Sequence, residues 1–300
     1  MINIHSCLLL MFVFFSCSSP VKKEITTGLS IQAEEYIPEV ADKINEISGL
    51  LIFDDHFWGF NDSGGKNELY GFNKSGKIKV EVELDDAKNR DWESITQTDK
   101  HIFVGDFGNN MGNRDNLRIY KIKKKDISDK DEQKVDVKEI EFSYSNQERF
   151  HYFDKATPFD CEAMVAFKNN LYLFSKNWRD RTTWLYQLPT KKGEYEIAAT
   201  DTFNVKGLVT GADISPDKKI LALVGYENYV SYIWLFTDFP GDRFFEGKSK
   251  VIHLKGIDGA QTEGICFLNN DTILVSCEQT NAYKQQVFLF DLNKLSDATH

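Results

Sequence analysis

Residues that mark the commonest chemistries are missing from this chain. Its five cysteines and six histidines form no CxxC pair and no Cys/His spacing suited to zinc, which excludes a zinc module. There is no G-x-S-x-G elbow, no phosphate-cradling glycine loop and no H-E-x-x-H helix. Positive charge is scarce as well: Lys and Arg total 36 against 46 Asp and Glu, a formal charge of -10. Sequence-independent nucleic-acid binding needs clustered cations to displace counterions, so no nucleic-acid partner is expected. The acidic excess suits cations or polar ligands, and it equally suits a solvated surface that keeps the protein dissolved. No long stretch carries a helical period, and helix should be scarce.

What is present begins with a targeting segment. Cys7 to Phe15 is an apolar run too short to span a bilayer and of the right length for a signal-peptide core. It leads into Ser16-Cys17, which resembles a bacterial lipoprotein cleavage site, where a thiolate accepts the diacylglyceryl group. Residues 1–17 then form the signal peptide and lipidation site and 18–24 a short tether. The expected location is the cell envelope, anchored to a membrane through Cys17 and facing the periplasm or exterior. Two departures stand out: Met1 to Ser6 hold no Lys or Arg, and Phe14 replaces a smaller aliphatic residue. A plain cleaved signal is the alternative. Cys161, Cys266 and Cys277 read as small apolar core residues, and the turn at Asn269-Asn270 sets Cys266 opposite Ile273 rather than Cys277, so no disulfide is expected between them.

Beyond the leader, one pattern recurs five times: a small or acidic residue, an apolar run, a short turn, a second apolar run and a polar exit. The units begin at Ser48, Glu93, Glu162, Asp213 and Glu263. Each continues into an aromatic-rich third run, such as NLRIYKI or SYIWLFT, and four continue into a fourth. Alternation with β-branched and aromatic residues makes these runs strands. Four antiparallel strands per repeat make a propeller blade. The expected fold is all-β: one β-propeller over residues 25–295, followed by a tail of residues 296–300. It has five blades, and the long interval from Glu93 to Glu162, with its charged Lys121 to Glu139 stretch, leaves room for a sixth. The fifth unit lacks its last strand, which the segment Ile25 to Ile37 supplies, closing the ring and covering a sheet edge.

Strands one and two of a blade are antiparallel, so the start of one and the end of the other share a sheet edge. That edge holds Ser48, Glu93, Glu162, Asp213 and Glu263 from the first strands and Asp62, Asp106, Lys176, Tyr226 and Glu278 from the second. Asp91 and Asp160 add two more carboxylates. So many acids around one axis repel unless a hard cation binds among them, protons are shared, or Lys176, Arg90 and Arg114 neutralise them. Calcium, with six to eight oxygen ligands in loose geometry, is the fitting cofactor, and Asp91, Glu93, Glu162, Asp213 and Glu263 are its candidate ligands. The other reading is that these acids only hydrogen-bond between blades. Given a metal, Glu93 or Glu263 would activate water against an ester or phosphoester and Lys176 would stabilise developing negative charge. Asp62, Asp106, Arg114, Tyr226 and Glu278 are the expected contacts for a small polar ligand. Trp178, Arg179 and Arg181 form either a rim to that site or an ordinary exposed loop.

The same residues resemble bacterial β-propeller proteins of the phytase-like, or esterase-like phytase, group. The resemblance rests on Asn61 to Gly64, Asp91 to Glu93, Gly105 to Asn110 with Arg114, Asp160 to Ala163, Thr210 to Asp217 and Glu263-Gly264, and covers about Glu46 to Glu278. It implies a propeller with an acidic channel and calcium-dependent phosphoester or ester cleavage. Residues for gripping several phosphates are sparse, which counts against phytate. The reading from sequence is therefore a metal-dependent hydrolase-like protein, with a non-catalytic ligand-binding or interaction scaffold as the alternative.

Overall fold

Five β-sheets stand around one axis in the computed structural model, which describes residues 25–150 and 157–297. The innermost strands are Ile47–Phe53, Trp92–Gln97, Cys161–Phe167, Leu208–Ile214 and Thr262–Asn269. Each packs against the next and the fifth against the first, so the ring is closed at five blades and the sixth does not form. The long interval from Glu93 to Glu162 is filled by loops and by an extra strand, Glu132–Asp136, that joins the sheet of blade one. A separate apolar cluster fills the space between each pair of adjacent sheets. Among the described residues, helix is limited to single 3-10 turns, in keeping with the scarcity of helix expected from the sequence.

The recurring small residue has a steric cause. A Cβ on Gly211 would stand 2.4 Å from the Glu263 carbonyl oxygen, and one on Gly264 would stand 2.6 Å from the carbonyl carbon of Gly49. The inner strands of neighbouring blades approach backbone to backbone there, so the residue following each mouth position must be small. In the other two blades that residue is Ser94 and Ala163, both buried.

Closure differs in one respect from the expected single strand Ile25 to Ile37. Only Glu34–Ile37 completes blade five, antiparallel to Gln286–Asp291. Ile25–Gln32 instead pairs in parallel with the outer strand of blade four, Lys248–Lys255. The same exchange occurs twice more. Glu132–Asp136, within the charged stretch, lies parallel to the outer strand of blade one, Ile78–Asp85. Gly193–Ile197 lies parallel to that of blade two, Lys138–Tyr144. In each case the chain crosses to the preceding blade before forming its own fourth strand, which covers an edge that would otherwise template another chain. Ser296–Asp297 adds a two-residue strand against Leu29 and Ser30. The signal segment, Cys17 and the tether lie outside the described residues, as do residues 298–300. A one-residue shift places Cys266 opposite Leu274 rather than Ile273, and Cys161, Cys266 and Cys277 are buried free thiols.

Candidate functional site: an acidic mouth

Where the inner strands begin and the second strands end, a cavity of about 400 Å³ opens. Asp62, Glu93, Glu162, Lys176, Tyr226 and Glu263 line it, together with Trp178, Arg181 and Gln261. Glu93, Glu162 and Thr210 occupy β-bulges in their inner strands, and Glu263 belongs to another. A bulge re-aims the side chain that would otherwise follow the pleat, here at the start of each inner strand.

Asp62, Asp91 and Glu93 each offer a carboxylate oxygen, all within 4.8 Å of one another. Two full charges 4 Å apart repel by about 4 kcal/mol at an effective dielectric of about 20, so three ionised groups at this spacing need an offset. Arg114 gives only a part of it, at 4.0 Å from Asp91 Oδ2. Burial and then Asp62 push the Asp91 carboxyl up to about 7. Burial, then Glu162, Asp62 and Asp91, drive Glu93 well above the carboxylate range. Burial also raises Asp62, against the Ser63 amide and Lys176. Gly108 makes this cluster sterically feasible: a Cβ there would stand 2.2 Å from Glu93 Oε1 and 2.5 Å from Asp91 Oδ2.

The opposite wall is organised by Lys176. Its Nζ donates to Glu162 Oε2 at 2.6 Å, both side chains being nearly inaccessible. Burial would lower the ammonium, but Glu162, Glu263 and Tyr226 outweigh it and keep Lys176 charged well above its ordinary value. Burial holds Glu263 up at about 7, against the pull of Lys176. Glu278 is pushed to about 9 by burial and by Glu263 and Asp62.

Several expected ligands have other work. Asp106 is fully buried, accepting from Arg114 at 2.9 Å and from the Asp91 amide at 3.1 Å. Arg114 also donates to the Gly108 carbonyl at 2.8 Å, so this pair folds the loop that carries Gly108 rather than facing the cavity. Asp213 needs a correction of place. It sits towards the far end of its strand, beside Gln97, Ala166 and Phe267 in a separate cavity, accepting from the Phe267 amide at 2.8 Å. The mouth position in blade four belongs to Thr210, whose hydroxyl donates to the Thr262 carbonyl at 2.7 Å. Ala212-Asp213 imitates an acidic start three residues beyond the true one, which the bulge at Thr210 marks. The Thr210-Gly211 pair, matching Ser48-Gly49 and Glu263-Gly264, carries the true phase.

Sequence reasoning undervalued two further groups. Asp160 is fully buried and takes the Asn109 amide at 2.7 Å on one oxygen and the Trp178 indole N–H at 2.8 Å on the other. It thereby joins the exit loops of blades two and three. Trp178 is consequently part of the cavity wall rather than an ordinary exposed residue, with Lys176 Nζ 5.3 Å from its ring centre. His56, His101 and His253 are not among the residues lining this cavity.

No family model matches this chain, and no curated protein does. Solved structures with a similar course include Kuenenia stuttgartiensis hydrazine synthase, at 12% identity and a TM-score of 0.39 over 84% of this chain and 64% of that one. The periplasmic gluconolactonase of Pseudomonas aeruginosa matches at 13% identity and a TM-score of 0.40, over 82% of this chain and 67% of that one. A chain of the nidogen/laminin complex matches at 12% and 0.43, over 87% and 93%. This chain therefore spans about two thirds of the length of the first two. Three such different proteins pass on neither activity nor substrate, because propellers host many functions. The resemblance to the phytase-like group rests on the motifs quoted above alone, and none of these comparisons supports it.

Proposed function

We propose that this protein is a divalent-cation-dependent, hydrolase-like propeller acting on a small polar ester or phosphoester at the acidic mouth. The observation that carries the reading is the convergence of Asp62, Asp91 and Glu93 on one point, with a single arginine in partial compensation. An all-oxygen donor set of carboxylates fits calcium best, and Asp62, Asp91 and Glu93 would be the residues to hold it. A bound cation supplies Lewis-acid polarisation and a more acidic water. The chain's own residues do the rest. Glu263, poised near 7, takes a proton from the attacking water and returns it to the leaving alcohol oxygen as the ester or phosphoester bond breaks. Lys176, kept charged by Glu162, stabilises negative charge developing on the substrate. Glu93 belongs to the cation's ligand set, so Glu162 and Asp213 are not needed there.

One observation favours a second reading, a non-catalytic ligand-binding module. Lys176, Asp106 and Asp160 are each already paired within the protein, with Glu162, Arg114 and Trp178 respectively. Screening generic phosphoesters, esters and lactones with wild type and Glu93→Gln separates the two. Cation-dependent turnover lost in the variant supports the hydrolase; a cation response without turnover in either supports the module. Attachment to a membrane through Cys17 belongs to the same proposal. Cys17→Ser should move the protein from the membrane to the soluble fraction, and an unchanged distribution would count against the anchor.

A further inference from the structure

The two cations in the wall of the mouth differ in one respect. Lys176 is bonded to Glu162, whereas Arg181 has no carboxylate within ion-pair distance among the described residues. Its guanidinium carbon lies 5.6 Å from the centre of the Trp178 ring, which leaves the planar fork of donors unused by protein acids. Trp178 is itself fixed through its indole N–H to buried Asp160, so the platform under Arg181 is rigid. Arg181 also holds a left-handed backbone, φ 59°, closed by its amide on the Asn177 carbonyl at 3.1 Å. In a protein of net charge -10, one cavity thus holds both this guanidinium and the carboxylates of Asp62 and Glu93.

We propose that Arg181, stacked on Trp178, is the specificity-determining residue of the mouth and recognises an oxyanion head on the ligand, a carboxylate or a phosphate monoester. The ligand is thus a small anionic molecule, held at its charged end by the blade-three loop while its polar remainder reaches the acids of blades one and two. The guanidinium fork matches either head bidentately. This inference rests on the reading of the mouth as a ligand site, and not on cation binding.

Inorganic phosphate and acetate are titrated separately into the purified protein in excess chelator, following the melting midpoint. At least one should raise it by mass action. Arg181→Gln should lose about tenfold in apparent affinity, the factor expected for one charge-assisted pair, and Arg181→Lys should lose less. A response to phosphate alone or to acetate alone assigns the head group. No response to either, or an equal response in Arg181→Gln, overturns the inference. Protection of Arg181 from phenylglyoxal by the effective anion, read by peptide mass, needs no variant; absence of protection also overturns it. Chelator removes divalent ions, so failure of calcium to bind leaves this outcome untouched.

Discussion

Lys176 Nζ lies 2.6 Å from Glu162 Oε2 inside the mouth, with 8% and 5% of the two side chains accessible. At that burial neither charge is relieved by water, so each depends on the other. Lys176→Met should cost about 3–5 kcal/mol in urea unfolding, and the double variant Lys176→Met/Glu162→Leu should recover most of it. A loss under about 1 kcal/mol, the value of an exposed pair, would mean that water reaches the site.

The raised carboxyls set an unusual pH dependence. Glu263 and Glu278 titrate at about 7 and about 9 in the folded protein, against about 4.3 when unfolded. Because the folded values are raised, the unfolded chain releases its protons first as pH climbs. The stability these groups contribute is full below the unfolded value and is lost as pH rises through the folded ones. In chelator the melting midpoint should therefore fall between about pH 5 and 9. Glu278→Gln should flatten the upper part of that fall, and an unaltered profile would remove Glu278 from the account.

Gly108 separates fold from site. Gly108→Ala pushes a methyl group into the space held by the Glu93 and Asp91 carboxylates. Calcium titration should show its stabilising effect lost, alongside a stability cost of about 1–3 kcal/mol from overpacking. Wild-type calcium response in this variant would show that the two carboxylates do not act at that spot.

Ring closure is testable by truncation. A chain starting at Pro38 loses Glu34–Ile37 and Ile25–Gln32 together, baring the outer edges of blades five and four. Size-exclusion chromatography should show aggregation, since both edges then offer unpaired backbone. A stable monomer would mean that the inner ring suffices.

The blades were readable because each inner and second strand is a short, almost wholly buried run bounded by turn residues, while the outer strands Ile78–Asp85 and Lys138–Tyr144 keep an alternating pattern. The exchanged outer strands were not. Glu132–Asp136 is a short, charged segment whose only buried residue is Val135, so composition reads it as solvated insertion. Its partner is Ile78–Asp85 of another blade, a pairing that no local pattern encodes. Most of the mouth followed from antiparallel geometry alone. Asp213 misled because an acid beside a small residue recurs by chance, whereas the close approach at Gly211 is visible only once neighbouring backbones are in place. Asp160 and Trp178 joined the site through a bond between loops of different blades, beyond any spacing rule.

The central claim is that Asp62, Asp91 and Glu93 together hold a divalent cation. Melting the protein across a calcium series, at a pH above 7 where protons compete least, tests it most directly. The midpoint should climb with calcium in wild type by mass action and stay level in Glu93→Gln. A wild-type midpoint indifferent to calcium, magnesium and manganese would contradict the account.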